Sequence, residues 1–253
     1  MDKTLVKGLG VLETLAHHDK PMAVSEVAAA CDLTRSNAHR VLSTLSQLGY
    51  VNQDEVSRRY GLTLKLWALG ASLVDRLNLK EVAAPFLREL NEITGETTHL
   101  SVRDGHDIIY IDKLEARHAV RTFTRIGGRA PCHCVATGKA ILAFQSEAVI
   151  DQACESVVSF TQRTITDPIA VREEIYRTRE RGYAINRGEW RGGAYGLAVP
   201  VQGADAKVAA AIGISAPGER MPDDRIEHLV PILKRIGAQM SQALGATTVS
   251  NPM

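Results

Sequence analysis

Between residues 33 and 49 the apolar positions repeat with a helical period. Ala38, Val41, Leu42, Leu45 and Leu48 recur at steps of three and four, which sets them on one stripe of an α-helix. The other face carries Arg35, Ser36, Asn37, His39, Arg40, Ser43, Thr44 and Gln47, nearly all hydrogen-bond donors and none acidic. Thr34 suits the N-cap and Gly49 the C-terminal stop. Upstream, Ser25 can cap a shorter helix over 26–30, and Asp32 can take up left-handed φ in the turn between the two. With Ala28 at the crossing this is a helix-turn-helix, whose second helix enters a major groove N-terminus first. After Gly49 come Tyr50-Val51, a polar stretch over 52–57 and Arg58-Arg59-Tyr60-Gly61-Leu62. They read as two short strands around a turn, a β-wing with Arg58 and Arg59 placed for phosphate.

The remaining pattern alternates between the two periods. A first helix is predicted over 3–18 with Leu5, Leu9, Leu12 and Ala16 inward. Gly8 and Gly10 weaken it by about 1 kcal/mol each relative to Ala, so it depends on tertiary packing. An apolar helix over 64–77 puts Leu66, Leu69, Leu73 and Leu77 on one side with Trp67 close by, a stripe that must bury against its own domain or a second copy. Residues 78–80 read as a hinge, and a helix over 81–94 ends at Gly95. Then the period falls to two. Strands at 97–103 and 108–113 form a hairpin around Asp104-Gly105, and 119–125 is a third strand. Helices over 135–145 and 147–154 follow, and Asp167-Pro168 opens another that Gly182 stops. Strands at 183–187, 195–201 and 208–215 precede a last helix, opened by Pro222 and running to 244, with Pro231 as a kink. The predicted fold class is α+β: a winged helix-turn-helix over 1–62, a linker or dimerisation helix over 63–79, a sheet domain over 80–247 and a tail over 248–253.

Composition narrows the class. At 45% hydrophobic and 23% charged the chain has the balance of an ordinary soluble protein. No apolar run reaches bilayer-spanning length and the N-terminus lacks a signal-peptide core, so no membrane partner and a cytoplasmic location are expected. Residues 1–62 hold seven Lys or Arg and seven Asp or Glu, which leaves no broad basic footprint. DNA binding must then rest on local geometry and on two reading heads in a dimer. The cysteines at 31, 132, 134 and 154 fit no disulfide framework. Cys132-His133-Cys134 invites a metal or redox reading, but three consecutive residues do not close a tetrahedron, and in a strand both sulfurs point away from the imidazole. No metal or cofactor is therefore expected, while a structural or thiol-sensing role stays open.

No catalytic signature stands out. Gly8-Leu9-Gly10 lies inside a helix with no strand before it, and there is no Gly-x-Ser-x-Gly, Walker loop or His-Glu-x-x-His. Glycines at 127–128, 138, 188, 192–193, 196 and 213 gather where strands meet loops. They would let backbone N–H groups approach a small anion, aided by the helix start at Ala136-Thr137-Gly138, although plain tight turns explain many of them.

These residues together resemble the IclR family of transcriptional regulators over essentially the full chain. The N-terminal match runs through Val24-Ser-Glu-Val-Ala, Leu33-Thr-Arg-Ser-Asn-Ala-His-Arg-Val-Leu-Ser-Thr-Leu, Leu48-Gly-Tyr-Val and Arg59-Tyr-Gly-Leu into Leu69-Gly70. The C-terminal match comprises Gly128-Arg-Ala-Pro-Cys-His-Cys-Val-Ala-Thr-Gly-Lys-Ala-Ile-Leu-Ala, Arg181-Gly-Tyr-Ala-Ile-Asn, Glu189-Trp, Gly196-Leu-Ala-Val-Pro-Val and Ile212-Gly-Ile-Ser-Ala-Pro-Gly. The resemblance implies a winged helix, a linker helix used in dimerisation and a GAF-like effector domain. It also implies dimers, or dimers of dimers, on palindromic operators near catabolic genes, with small organic or aromatic acids as effectors. Pocket residues of the family map onto Ala136, Thr137, Asn186, Gly196, Gly213 and Ser215.

Four positions depart from the family. Asp32 stands where Gly is usual, Asn186 where some members carry an acid, and Gly196 and Gly213 where some carry Cys and Ser. The lost side chains suggest a bulkier or more apolar effector than a two- or three-carbon acid. The expected function is a ligand-responsive repressor of a catabolic operon, reading DNA with Thr34, Arg35, Ser36, Asn37, His39, Arg40 and Ser43, flanked by Arg58 and Arg59. The alternatives are a regulator that senses oxidation through Cys132 or Cys134, and a small-molecule enzyme.

Overall fold

The computed structural model describes residues 2–75 and 79–246, and the side chains of all of these except 70–75. Leu77 of the predicted linker stripe, Asn78 of the predicted hinge and the predicted tail lie outside the described residues, as does the side chain of Leu73. The chain divides into two compact units, Met1–Leu77 and Asn78–Met253.

The first unit is a winged helix-turn-helix. It contains α1 (Lys3–His17), α2 (Val24–Ala30), α3 (Arg35–Gln47), β1 (Val51–Gln53), β2 (Tyr60–Leu62) and α4 (Leu64–Asp75). Its core joins Val11 and Leu15 of α1, Val27 and Ala28 of α2, Ala38, Val41, Leu42 and Leu45 of α3, and Val51 and Tyr60 of the wing. The stripe predicted for α1 is rotated: Val11 and Leu15 are buried, while Leu5 and Leu9 are 62% and 52% exposed and Ala16 is exposed. Leu48 is also exposed, because α3 has already ended. α2 begins a residue before Ser25, its start secured by the Ala23 N–H donating to the Glu26 carboxylate at 2.8 Å. α3 is capped by Thr34, whose Oγ1 accepts the Asn37 N–H at 3.3 Å, and Asp32 sits in the turn at φ 51°. The wing strands are antiparallel, and Met22 bridges Tyr60 alongside them.

The second unit is a six-stranded antiparallel sheet of order β5-β4-β3-β8-β7-β6. Its elements are α5 (Leu79–Thr94), β3 (Thr97–Asp104), β4 (Asp107–Leu114), β5 (Arg129–Pro131), α6 (Ala136–Leu142), α7 (Glu147–Glu155), α8 (Pro168–Arg181), β6 (Ala184–Arg187), β7 (Ala194–Gln202), β8 (Val208–Pro217) and α9 (Asp223–Ala243). Two of the expected elements change. α5 begins at Leu79, buried in the core, so 79–80 belong to a helix and not to a hinge. The strand expected at 119–125 is irregular, and the third strand is Arg129–Pro131. The reason lies in its carbonyls, which meet side chains and not a ladder. Val120 O accepts from Arg220 at 2.9 Å, Phe123 O from Arg191 at 3.2 Å and Thr124 O from Lys113 at 2.6 Å.

Helices α5 and α9 cover one face of the sheet, against Leu197, Val199 and Val201 of β7 and Ile212 and Ile214 of β8. Helices α6, α7 and α8 cover the other, where the same strands turn Ala198 and Ala211 inward. Small side chains on that face let α6 sit close. A Cβ on Gly138 would lie 2.3 Å from the Cys132 carbonyl oxygen, so only glycine fits there.

Candidate functional site

In the first unit the predicted reading residues share one face. Thr34, Arg35, Ser36, His39 and Arg40 are exposed, and Asn37 and Ser43 are half-buried. Their common orientation follows from burial of Ala38, Val41, Leu42 and Leu45 on the reverse. Arg40 reaches back to Asn37 Oδ1 at 3.4 Å, and the Thr44 hydroxyl donates to the Arg40 carbonyl at 3.1 Å. The two wing arginines differ. Arg58 stands exposed at φ 57°. Arg59 instead donates twice to Glu26, at 2.8 and 3.1 Å, and once to the Pro21 carbonyl at 2.9 Å, which fastens the wing to α2. The Ala23 N–H and then Arg59 hold the Glu26 carboxyl below the usual carboxylate range. The wing turn also carries Asp54, whose carboxylate accepts the Ser57 N–H and hydroxyl at 2.7 Å each.

The second unit contains an open cleft of about 880 Å³ on the α6 face of its sheet. Ala136, Asn186, Gly196 and Ser215 line it. Thr137 and Gly213 do not. Thr137 is fully buried within α6, and Gly213 is pressed against β7, where a Cβ would come within 2.7 Å of the Leu197 carbonyl and 2.8 Å of Ala198 Cβ. The walls come from residues that spacing did not single out, chiefly His99, Tyr110, Phe123, Trp190, Arg191 and Tyr195. Only Trp190 left a trace, in the Glu189-Trp motif. His99 and Tyr110 reach the cleft through sheet register.

Hydrogen bonds set the cleft wall. Asn186 Oδ1 accepts the Glu189 N–H at 2.8 Å, and Thr161 and Thr164 hydroxyls donate to the Gly188 and Glu189 carbonyls at 2.8 and 2.6 Å. Thr122 and Ser215 hydroxyls meet at 2.7 Å. Beneath, the buried Lys139 of α6 donates to Glu189 Oε1 at 2.7 Å and to the Ile185 carbonyl at 3.1 Å, with Glu174 at 3.8 Å. Glu189 Oε2 is equally near Lys139, an ion-pair contact without a hydrogen bond. Burial pushes the Glu189 carboxyl up, and Lys139 offsets part of that rise.

His99 stands apart. Its ring meets Tyr110 edge-on at 5.1 Å, and Nδ1 has no hydrogen-bond partner among the described residues. Burial pulls the imidazole down to about 4 and pushes the Tyr110 hydroxyl up to about 12, so both are neutral at pH 7. At the rim, Arg191 stacks on Trp190 at 4.3 Å, and Arg163 donates to the Tyr195 hydroxyl at 2.5 Å. Aromatic walls, a neutral buried end and a cationic rim suit a flat molecule with one anionic end.

The cysteines are elsewhere. Cys132 and Cys134 are buried, and desolvation pushes both thiols up to about 12, so they stay protonated at neutral pH and make poor oxidation sensors. His133 Nε2 lies 3.2 Å from the Val158 carbonyl. Among the described residues no three His, Cys, Asp or Glu side chains converge as metal ligands, and no described helix is long and apolar enough to cross a membrane.

Comparison with known proteins extends both surfaces. The family model of the IclR helix-turn-helix domain matches residues 4–55, and that of the bacterial transcriptional regulator IclR C-terminal matches residues 71–242. The HTH-type transcriptional regulator KdgR of Escherichia coli (strain K12) is 33% identical over 244 residues, covering 96% of this chain and 92% of that protein. The HTH-type transcriptional regulator XynR of the same strain is 31% identical over 245 residues, covering 96% and 97%. Among solved structures, an IclR homolog from Microbacterium hydrocarbonoxydans complexed with 4-hydroxybenzoate superposes with a TM-score of 0.85 at 25% identity, covering 97% of this chain and 100% of that one. The Thermotoga maritima IclR superposes at 0.79 with 29% identity, covering 97% and 100%.

Proposed function

We propose, on the premise that this chain belongs to the IclR family of bacterial transcriptional regulators, that it represses a catabolic operon by binding a palindromic operator as a dimer or a dimer of dimers and is controlled by a carboxylic acid of aromatic size. It is a DNA-binding regulator and not an enzyme. The observation that carries the reading is the solvent face of α3, where Arg35, Ser36, His39 and Arg40 stand exposed with no acid among them above a fully apolar reverse side. A helix so presented can enter the major groove, with Arg40 positioned for a guanine edge and Arg58 for the flanking phosphate. Because residues 1–62 hold as many acidic as basic residues, affinity would come from two heads at fixed spacing. The effector class follows from the aromatic walls and arginine rim of the cleft, and the Microbacterium homolog's 4-hydroxybenzoate is of that class.

Control by linkage requires the acid to favour one spacing of the two heads, and operator binding then changes acid affinity by the same factor. The test is fluorescence anisotropy of the purified protein on DNA from upstream of its own gene, at two salt concentrations, with and without a panel of aromatic and short aliphatic acids. Salt-dependent, sequence-specific binding that an aromatic acid alters supports the reading. Binding equal to that of random DNA, with and without acids, refutes it.

A further inference from the structure

The segment between β4 and β5 borders the cleft without belonging to the sheet. Val120, Arg121, Thr122, Phe123 and Thr124 line the cleft, yet among the described residues no backbone group from 115 to 124 bonds to another backbone group. Both ends are pinned. At one end the Glu115 carbonyl accepts from Asn91 at 3.1 Å and the Ala116 N–H donates to Thr97 at 3.2 Å. At the other the Gly127 N–H donates to the Tyr110 carbonyl at 2.7 Å and the Gly128 N–H to that of Arg125 at 2.9 Å. Between them the strap is held by side chains: Arg220, Arg191 and Lys113 on the Val120, Phe123 and Thr124 carbonyls, and Ser215 on the Thr122 hydroxyl. Val120 and Phe123 remain 70% and 69% exposed, so little burial adds to those bonds. Such a segment opens far more readily than the sheet beside it.

The attachments are unequal. Arg191 is exposed, and Lys113 divides its ammonium between Thr124 and Glu115. Arg220 is itself anchored, with Nε and Nη2 on the fully buried Glu96 carboxylate at 2.8 and 2.7 Å, which Arg225 meets at 3.3 Å. The rigid fork leaves Nη1 fixed on the Val120 carbonyl at 2.9 Å. We propose that residues 117–124 are the gate of the cleft, latched at Val120 by Arg220, and that ligand enters and leaves when this latch releases. The proposal rests on the reading of the cleft as an acid-binding site and adds the route into it. Arg191 joins the gate to the wall, lying on Trp190 while it holds the Phe123 carbonyl, so a displaced strap uncovers the indole.

Trp67→Phe leaves Trp190 as the only tryptophan, and acrylamide quenching of its fluorescence then reads access to the cleft without a ligand. In that full-length background Arg220→Lys keeps a charge for Glu96, but one ammonium cannot reproduce the fork and also reach Val120. Thr122→Val removes a different anchor and touches no buried charge. Both should raise quenching and speed hydrogen exchange over 117–124 about tenfold, with exchange in β7 and β8 unchanged. Arg235→Gln, which breaks an exposed pair with Glu89 on the far side of the sheet, should do neither. In stopped flow both gate variants should take up and release 4-hydroxybenzoate about tenfold faster, with Kd changing less than either rate. Exchange over 117–124 no faster in both gate variants than in Arg235→Gln overturns the latch. A looser strap with either quenching or release rate unchanged overturns the gate. Should neither 4-hydroxybenzoate nor benzoate bind wild type, the acid-site reading fails, and quenching of Trp190 alone decides the gate.

Discussion

The two faces of the six-stranded sheet are built from the same strands on opposite rules. Toward α5 and α9, β7 and β8 present Leu197, Val199, Ile212 and Ile214, and the face closes completely. Toward α6 they present Gly196, Ala198, Ala211 and Gly213, and the room so left is taken by a close helix, a buried ion pair and a cleft. Period two in the sequence encodes this division of labour. Stability resides where alternate residues are large, and recognition where they are small.

The largest expected effect breaks the polar face. Glu189→Leu leaves the buried Lys139 only the Ile185 carbonyl and the more distant Glu174 at 3.8 Å, and should destabilise by about 3 kcal/mol in urea unfolding. Adding Lys139→Met should return most of that loss, because a matched apolar pair carries no desolvation cost. If the double variant is no more stable than Glu189→Leu, the pair also holds the loop at 188–193 in a way that packing cannot replace.

On the closed face the expected loss is comparable but has a different origin. Ile212→Ala should cost about 2–5 kcal/mol through the cavity it opens beneath α5 and α9. It should leave acid binding unchanged, since Ile212 points away from the cleft. A change in acid affinity at constant fold would show that the two faces communicate through the strands.

How far these faces could be read from sequence depends on where each residue's partners lie. α3 was legible because its cap, its stripe and its stop are contiguous, from Thr34 to Gly49. In α1 the sequence pattern is one step out of register, because Leu5 and Leu9 look like a stripe although Val11 and Leu15, with the half-buried Leu12 beside them, are what meet the core. Residues 119–125 look like a strand by composition, but their carbonyls are claimed by Lys113, Arg191 and Arg220, and nothing nearby announces that. The cleft was legible in part: Ala136, Asn186, Gly196 and Ser215 came through the family resemblance, while His99 and Tyr110 required the pairing of β3 with β8 and β4.

A smaller effect, about 3 kcal/mol, is expected from pH at His99. Its folded value near 4 lies below the unfolded 6.5, so the folded state binds the proton less readily. Its stabilising share is therefore complete above about 6.5 and is lost progressively as pH falls from there toward about 4. Lys113, Glu115 and Tyr110 are the other titratable groups around it, so the comparison is between wild type and His99→Phe. The variant should show a shallower fall in stability across that window. Identical slopes would mean that water or a rearranged ring already meets the proton.

The smallest effects separate two glycines on the recognition face. At Gly213 a methyl group would press on the Leu197 carbonyl at 2.7 Å, so Gly213→Ala should cost about 1–3 kcal/mol by forcing β7 and β8 to adjust. At Gly196 the nearest obstacle is the Ala136 methyl at 3.3 Å, which a shift of a few tenths of an ångström relieves, so Gly196→Ala should cost less than about 1 kcal/mol. The order should reverse for ligand. Gly196 lines the cleft and Gly213 does not, so the added methyl at 196 takes volume from the effector while that at 213 takes it from the sheet. Acid titration and urea unfolding of the two variants would show opposite rankings if absent side chains serve binding at one position and packing at the other. Matching rankings would mean that the cleft and its floor yield as one body.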